Sequence, residues 1–251
     1  MSAERQENSQ DNPWWGEHVH RYMAALPYIN ETDNVLDIAC GSGFGSYMLS
    51  RKTKGMVTGA DISEQIILYC KEKHKTNSNL SFSVVDGTHM QFEDGFFDRI
   101  VSFETIEHTT AYKEMLGEFR RTLKAGGTAI ISTPNILVNS PTGVVLNPYH
   151  TQEFSYEELL VLLKGFFDDV HIWGQQYTRY QKRSARNALG QLAEKTLYRR
   201  GIRKVPLNVQ NSIMRSITGK NMYPSENDYE LTDKKDEILK CKTFFVLCRK
   251  K

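Results

Sequence analysis

Gly41 and Gly43 follow directly on an apolar run, Val35-Leu-Asp-Ile38, and precede an amphipathic stretch from Gly45 to Lys52. Glycines between a strand and a helix let the backbone approach a ligand with no β-carbon in between. Asp37 can accept hydrogen bonds from an ammonium group or ordered water near that turn. A lone G-x-G marks no more than a tight turn, but about twenty residues on, Asp61 ends a second apolar run, Met56-Val-Thr-Gly-Ala-Asp61. A carboxylate there can accept both hydroxyl protons of a ribose. Asp86 ends a third run, Phe82-Ser-Val-Val-Asp-Gly87, within reach of an adenine amino group. The glycine turn and the acids together describe one adenosyl site.

Two histidines could handle a proton. His108 closes the segment Phe96-Phe-Asp-Arg-Ile-Val-Ser-Phe-Glu-Thr-Ile-Glu-His108, and His150 lies in the polar stretch Asn147-Pro-Tyr-His-Thr-Gln-Glu-Phe154. Imidazole titrates near neutral pH and is the usual proton acceptor when a hydroxyl must become a nucleophile. His150 is the preferred base and His108 the second candidate; Glu104 and Glu107 could serve if burial raised a carboxylate's pKa. No metal site is expected, because Cys40, Cys70, Cys241 and Cys248 form no C-x-x-C pair.

The elements that must position these residues alternate. Strand patterns at 34–39, 56–61, 80–86, 97–103 and 127–133 are interleaved with helical patterns at 45–52, 63–73 and 112–123; a helix over 155–163 and a strand over 167–173 follow. Such alternation predicts a parallel sheet covered by helices on both faces, with ligands outside the carboxyl ends of the strands where strand order reverses. The last strand, Thr243 to Cys248, comes about seventy residues after Trp173, far more than an ordinary connection. An insertion over 175–238 is therefore expected.

Between 175 and 220 that insertion holds eleven Lys or Arg against one acid, Glu194, a local excess of ten positive charges that leaves the rest of the chain at −8. Leu189, Leu192, Ala193 and Leu197 are helically spaced, as are Val209, Ile213, Met214 and Ile217, with Pro206 suited to a first turn and Gly219 to a stop. Two basic amphipathic helices packed as a lid are expected, or alternatively a surface for an acidic partner such as a phosphate-bearing substrate, nucleic acid or an anionic membrane surface. At 251 residues, with 39% hydrophobic and 25% charged, the composition is that of a globular enzyme. Residues 1–12 read as a mobile leader, a core as 13–174 with 239–251, and the location as cytoplasmic, since neither a signal-type stretch nor a spanning run of roughly 18 apolar residues occurs.

In order, VLDIACGSGFG, GADIS, VVDG and FDRIVSFETIEH resemble the small-molecule branch of the class I S-adenosylmethionine-dependent methyltransferases, over roughly Arg21 to Trp173 plus Thr243 to Arg249. The resemblance implies an α/β fold with a doubly wound, mostly parallel, seven-stranded Rossmann-like sheet, an antiparallel last strand and the helical insertion before it. It implies S-adenosylmethionine as cofactor, with Ala39, Gly41 and Gly43 near its methionine part and Asp61 and Ile62 at the ribose. Asp86 and Gly87 would stand at the adenine, with Phe103 and Glu104 lining the site. Arg21 would pair with the methionine carboxylate and Tyr22 would close over the cofactor. The implied acceptor is a small molecule or glycan hydroxyl. No Asn-Pro-Pro-Tyr or Asp-Pro-Pro-Tyr run follows the fourth strand, which disfavours nucleic acid; a nucleic-acid or protein methyltransferase guided by the basic insertion, a dinucleotide-dependent oxidoreductase and a noncatalytic cofactor binder are the alternatives.

Overall fold

Every residue of Val35-Leu-Asp-Ile38 is buried, as a strand covered on both faces requires, and in the computed structural model this segment is β1. The structure describes residues 14–179, 185–199 and 206–251, and within the helix after residue 185 the side chains of 187–194. The leader expected at 1–12 lies outside these residues.

Around β1 the elements run α1 (Trp15–Ala25), β1, α2 (Phe44–Ser50), β2 (Val57–Asp61), α3 (Glu64–Lys73), β3 (Leu80–Val84), β4 (Phe97–Phe103), α4 (Tyr112–Thr122) and β5 (Leu123–Pro134). They continue as α5 (Ile136–Asn139), α6 (Tyr156–Lys164), β6 (Asp169–Tyr177), α7 (Ala185–Arg199), α8 (Leu207–Thr218), β7 (Tyr229–Thr232), α9 (Lys235–Ile238) and β8 (Thr243–Arg249). The sheet order is β3-β2-β1-β4-β5-β8-β6-β7. β1 pairs in parallel with β2 and β4, while β8 lies antiparallel to both β5 and β6. The chain thus winds outward to β3, then returns to the other side of β1, and the reversal falls between β1 and β4.

The doubly wound sheet and antiparallel last strand agree with the sequence reading, but the strand number does not. The sheet has eight strands, because β7 adds an edge within the stretch read as a helical insertion. β5 also begins at Leu123, earlier than the start expected at Gly127: Gly126 takes φ 76°, and its N–H donates to the Lys250 carbonyl.

Side chains pack on both faces of the sheet. One cluster joins Leu36, Ile100, Ile131, Phe244 and Val246 to Leu116 and Phe119 of α4 and Leu159 and Leu163 of α6. The other joins Val35, Val57, Val101 and Phe245 to Tyr22, Leu49, Ile67 and Cys70. Each such fully buried side chain stabilises by about 1.5–3 kcal/mol relative to exposure. Ser155 and Glu158 fix the start of α6 in a reciprocal capping box.

The chain divides into two compact units. One comprises Arg21–Gln176 and Leu231–Lys251; the other takes the described residues from 14 to 20 and from 177 to 230, with α7 and α8. Within the second, both expected helices form, and Gly219 in the left-handed region (φ 77°) ends α8. The expected stripes are buried only in part: Met214 is buried, joined by Gln210, whereas Leu189, Leu192, Val209 and Ile213 are exposed. Helical spacing shows that residues share a face and leaves open which face meets a neighbour. No helix among the described residues is long and apolar enough to cross a membrane.

Candidate active site

The turn after β1 combines two left-handed glycines, Gly41 (φ 52°) and Gly43 (φ 75°), with a left-handed alanine, Ala39 (φ 61°). A β-carbon on Gly43 would press on Phe82 and Cys70, and one on Gly45 would fall on the ring of Tyr22. A β-carbon on Gly41 would meet nothing within 4 Å. Gly43 and Gly45 are therefore small because the protein is close, whereas Gly41 borders open space. Its N–H donates to Asp61 Oδ2 (3.2 Å), and Ser63 N–H donates to Asp61 Oδ1 (2.9 Å). These bonds fix the carboxylate at the end of β2, beside the exposed side chain of Ile62. Ser42 Oγ, in the same turn, is buried with no hydrogen-bond partner among the described residues.

Asp37 lies beneath the turn, fully buried, and accepts hydrogen bonds from Ser46 Oγ (2.6 Å) and Tyr22 Oη (3.0 Å). Burial pushes its carboxyl up from 3.8 to about 7, against those two hydrogen bonds. Tyr22 is itself buried, packed edge-on against Phe44 and Phe103. Asp86 is exposed just past β3, where Thr88 N–H and Oγ1–H hold its carboxyl below the usual range. Gly87, beside it, is buried, and a β-carbon there would press on Met115.

At the carboxyl end of β4, Phe103 is in the core and Glu104 turns into the left-handed region (φ 50°). Ser132 of β5 holds it there: Glu104 N–H donates to the Ser132 carbonyl (3.1 Å), and Ser132 Oγ–H donates to Glu104 Oε1 (2.7 Å). Arg21, completely buried, donates to Gln175 Oε1 (3.0 Å) and stands 3.7 Å from Glu104 Oε1. Two positions expected at the cofactor site are thus an ion pair.

His108 and His150, distant in sequence, are neighbours with ring centroids 4.9 Å apart. His108 Nδ1 meets the Tyr149 carbonyl at 3.0 Å, and His150 Nδ1 meets Glu153 Oε1 at 2.8 Å. His150 Nε2 lies 2.9 Å from Asn147 Nδ2. Glu107, fully buried, accepts from Thr133 Oγ1 (3.0 Å), and burial next to Glu104 holds its carboxyl well above the usual range. Sequence reasoning missed Glu153 and Asn147, although both stand three residues from His150, a spacing that one compact turn closes.

A family model described as a methyltransferase domain matches residues 35–127, the segment that carries the glycine turn, Asp61, Asp86, Glu104 and His108. A Mycobacterium tuberculosis protein named "Probable S-adenosylmethionine-dependent methyltransferase Rv3030" is 27% identical over 161 residues, 63% of this chain and 57% of that relative. Methyltransferase GfsG of Streptomyces halstedii is 31% identical over 120 residues, 47% of this chain and 43% of that one. The chain thus spans about half the length of the relatives it matches. Among solved structures, the [4+2]-cyclase SpnF superposes with a TM-score of 0.58 at 16% identity, covering 98% of this chain and 86% of that one. That likeness concerns the fold, which accommodates more than one chemistry. The likeness in sequence lies around the site: residues 35–127 match a methyltransferase domain, and the chain is similar there to proteins named as S-adenosylmethionine-dependent methyltransferases.

Proposed function

We propose that the chain transfers the methyl group of S-adenosylmethionine to a hydroxyl of a small molecule. The observation that carries the cofactor is Gly41, left-handed at the topological switch point and bordered by open space where its neighbouring glycines are packed. Ala39, Gly41, Gly43 and the buried Ser42 hydroxyl would hold the methionine part. Asp61, oriented by two backbone N–H groups, would take the ribose together with Ile62, with Asp86 and Gly87 at the adenine. When bound, the cofactor supplies a methyl group on a sulfonium, open to in-line displacement.

The chain's own task is to align the acceptor and keep water away. Acceptor contacts would come from the His108–His150 pair at the end of β4 and the loop before α6, both on the side of the sheet where ligands bind in open α/β folds. Relatives named for demethylmenaquinone and for sterol methylation support a small acceptor. Calorimetry should show S-adenosylmethionine and its demethylated product binding at micromolar concentrations, NAD failing to bind, and Asp61→Ala weakening both by tenfold or more. Tight NAD binding with no response to the sulfonium compound would overturn the reading. Methyl-labelled cofactor supplied with a host extract then identifies the acceptor by mass.

A further inference from the structure

We infer that Glu107, His108 and His150 form a binding site for one first-row divalent cation with nitrogen and oxygen preference, such as Co²⁺, Mn²⁺ or Zn²⁺. One ligand atom from each lies within 4.8 Å of the other two. Two imidazoles and one carboxylate are a donor set suited to these ions rather than to Mg²⁺ or Ca²⁺, which favour oxygen.

Glu107 gives an independent reason. Its side chain is wholly buried, Oε2 is engaged by Thr133, and Oε1 has no hydrogen-bond partner among the described residues. That oxygen faces His108 Nε2 at 4.0 Å. A buried carboxylate oxygen left unmatched is costly, and a second one, Glu153 Oε2, is buried without a partner beside His150. A cation bound to Glu107 would take the place of the proton that burial favours there and give Oε1 a partner.

The outer partners are those that metal-bound histidines use. The Tyr149 carbonyl can only accept, so His108 carries its proton on Nδ1 and its lone pair on Nε2, the atom facing Glu107. Glu153 holds His150 Nδ1 in the same way, which places the lone pair on Nε2, where Asn147 Nδ2 now meets it. Carboxylates and carbonyls in this position fix the tautomer and raise ligand basicity. Donors around a cation at about 2.1 Å stand roughly 3.4 Å apart, so the cluster must contract by about 1 Å and release the Asn147 amide. The exposed His108 provides the movement and the entry path.

The open coordination positions would receive the acceptor oxygen; that use rests on the methyl-transfer reading, whereas occupancy of the site does not. The test is titration of tag-free full-length protein with Co²⁺, followed by d–d absorption and calorimetry, with melting temperature and S-adenosylmethionine affinity as controls for folding. One equivalent should bind, lost in His108→Ala and His150→Ala and weakened about 10- to 100-fold in Glu153→Gln. Retained cofactor binding in the surface variant His108→Ala keeps the result interpretable if Glu107→Gln fails to fold. Co²⁺ binding that persists in both histidine variants, or no stoichiometric binding to the wild type, overturns the site. Failure of cofactor binding with Co²⁺ binding intact would instead overturn the methyl-transfer reading.

Discussion

Ala39 and Glu104 are the non-glycine residues with positive φ among the described residues, 61° and 50°, and they follow directly on the adjacent strands β1 and β4. Left-handed backbone costs an L-residue about 1–2 kcal/mol, and such strain persists where neighbours over-determine it, commonly at functional sites. Here β2 holds one and β5 the other: Cys40 N–H donates to the Ala60 carbonyl (2.9 Å), and Ser132 receives and returns hydrogen bonds with Glu104. Ser132→Ala should therefore cost about 1–3 kcal/mol in urea unfolding and weaken S-adenosylmethionine binding through Glu104. Unchanged stability and affinity would show that Glu104 holds its conformation without Ser132.

Gly41 and Gly45 should separate function from folding. Gly41→Ala places its β-carbon in open space, so stability should fall by only about 1 kcal/mol for the left-handed backbone while cofactor affinity drops at least tenfold. Gly45→Ala drives a methyl into the Tyr22 ring, which should cost about 1–3 kcal/mol or more in thermal or urea unfolding. Equal effects of both variants on stability would remove the case that Gly41 borders a ligand.

Asp37 makes the fold sensitive to pH in a definite direction. Its carboxyl is raised from 3.8 to about 7, so between these values the folded state keeps a proton that the unfolded state has released. Stability from this group is complete below pH 3.8, falls as pH rises, and levels off above 7. The full span is at most about 4 kcal/mol. Other carboxylates, such as Asp98 beside Lys124, act in the opposite direction, so the measurable quantity is the difference from Asp37→Asn. Urea unfolding from pH 4 to 8 should show wild type losing ground to that variant as pH rises; parallel curves would contradict the burial account.

Replacing His150 tests the acceptor side without touching the cofactor turn. His150→Ala should lower methyl transfer roughly 10²-fold with S-adenosylmethionine affinity unchanged, and Glu153→Gln should fall between that variant and wild type, because it weakens the orientation of a ring that remains. A Glu153→Gln enzyme with wild-type turnover would make the carboxylate a folding element only.

The parts legible in the sequence are those where chemistry and local geometry coincide. Gly41 and Gly43 lie in the turn between β1 and α2 and Asp61 ends the next strand, β2; each pattern is local, so both the turn and the carboxylate it faces could be read directly. β7 could not: Tyr229-Glu-Leu-Thr232 alternates apolar and polar, but over only four residues at the sheet edge between polar segments, too short a run to stand out. Arg21 and Glu104 were each singled out from the sequence, but their pairing depends on how the first helix meets β4. The same holds for Glu107 and His150, brought together by the fold across a stretch of sequence with no readable spacing.

The second unit offers a comparison of buried and exposed positions on neighbouring helices. In α8, Gln210 and Met214 are buried one turn apart, and Met214 is 0% exposed; Val209 and Ile213 are 42% and 39% exposed. In α7, Leu189 and Leu192 are 60% and 63% exposed. Truncating a side chain as enclosed as Met214 removes transfer energy and leaves a cavity, so Met214→Ala should destabilise this unit by about 2–5 kcal/mol. Leu192→Ser changes a side chain that already meets solvent, and its effect should stay within about 0.5 kcal/mol. Limited proteolysis across a urea gradient, with cleavage between 177 and 230 as the readout, measures the unit's own opening. Strong protection loss in Leu192→Ser would mean that the exposed leucines are covered in solution; a neutral Met214→Ala would mean that α8 does not anchor the unit.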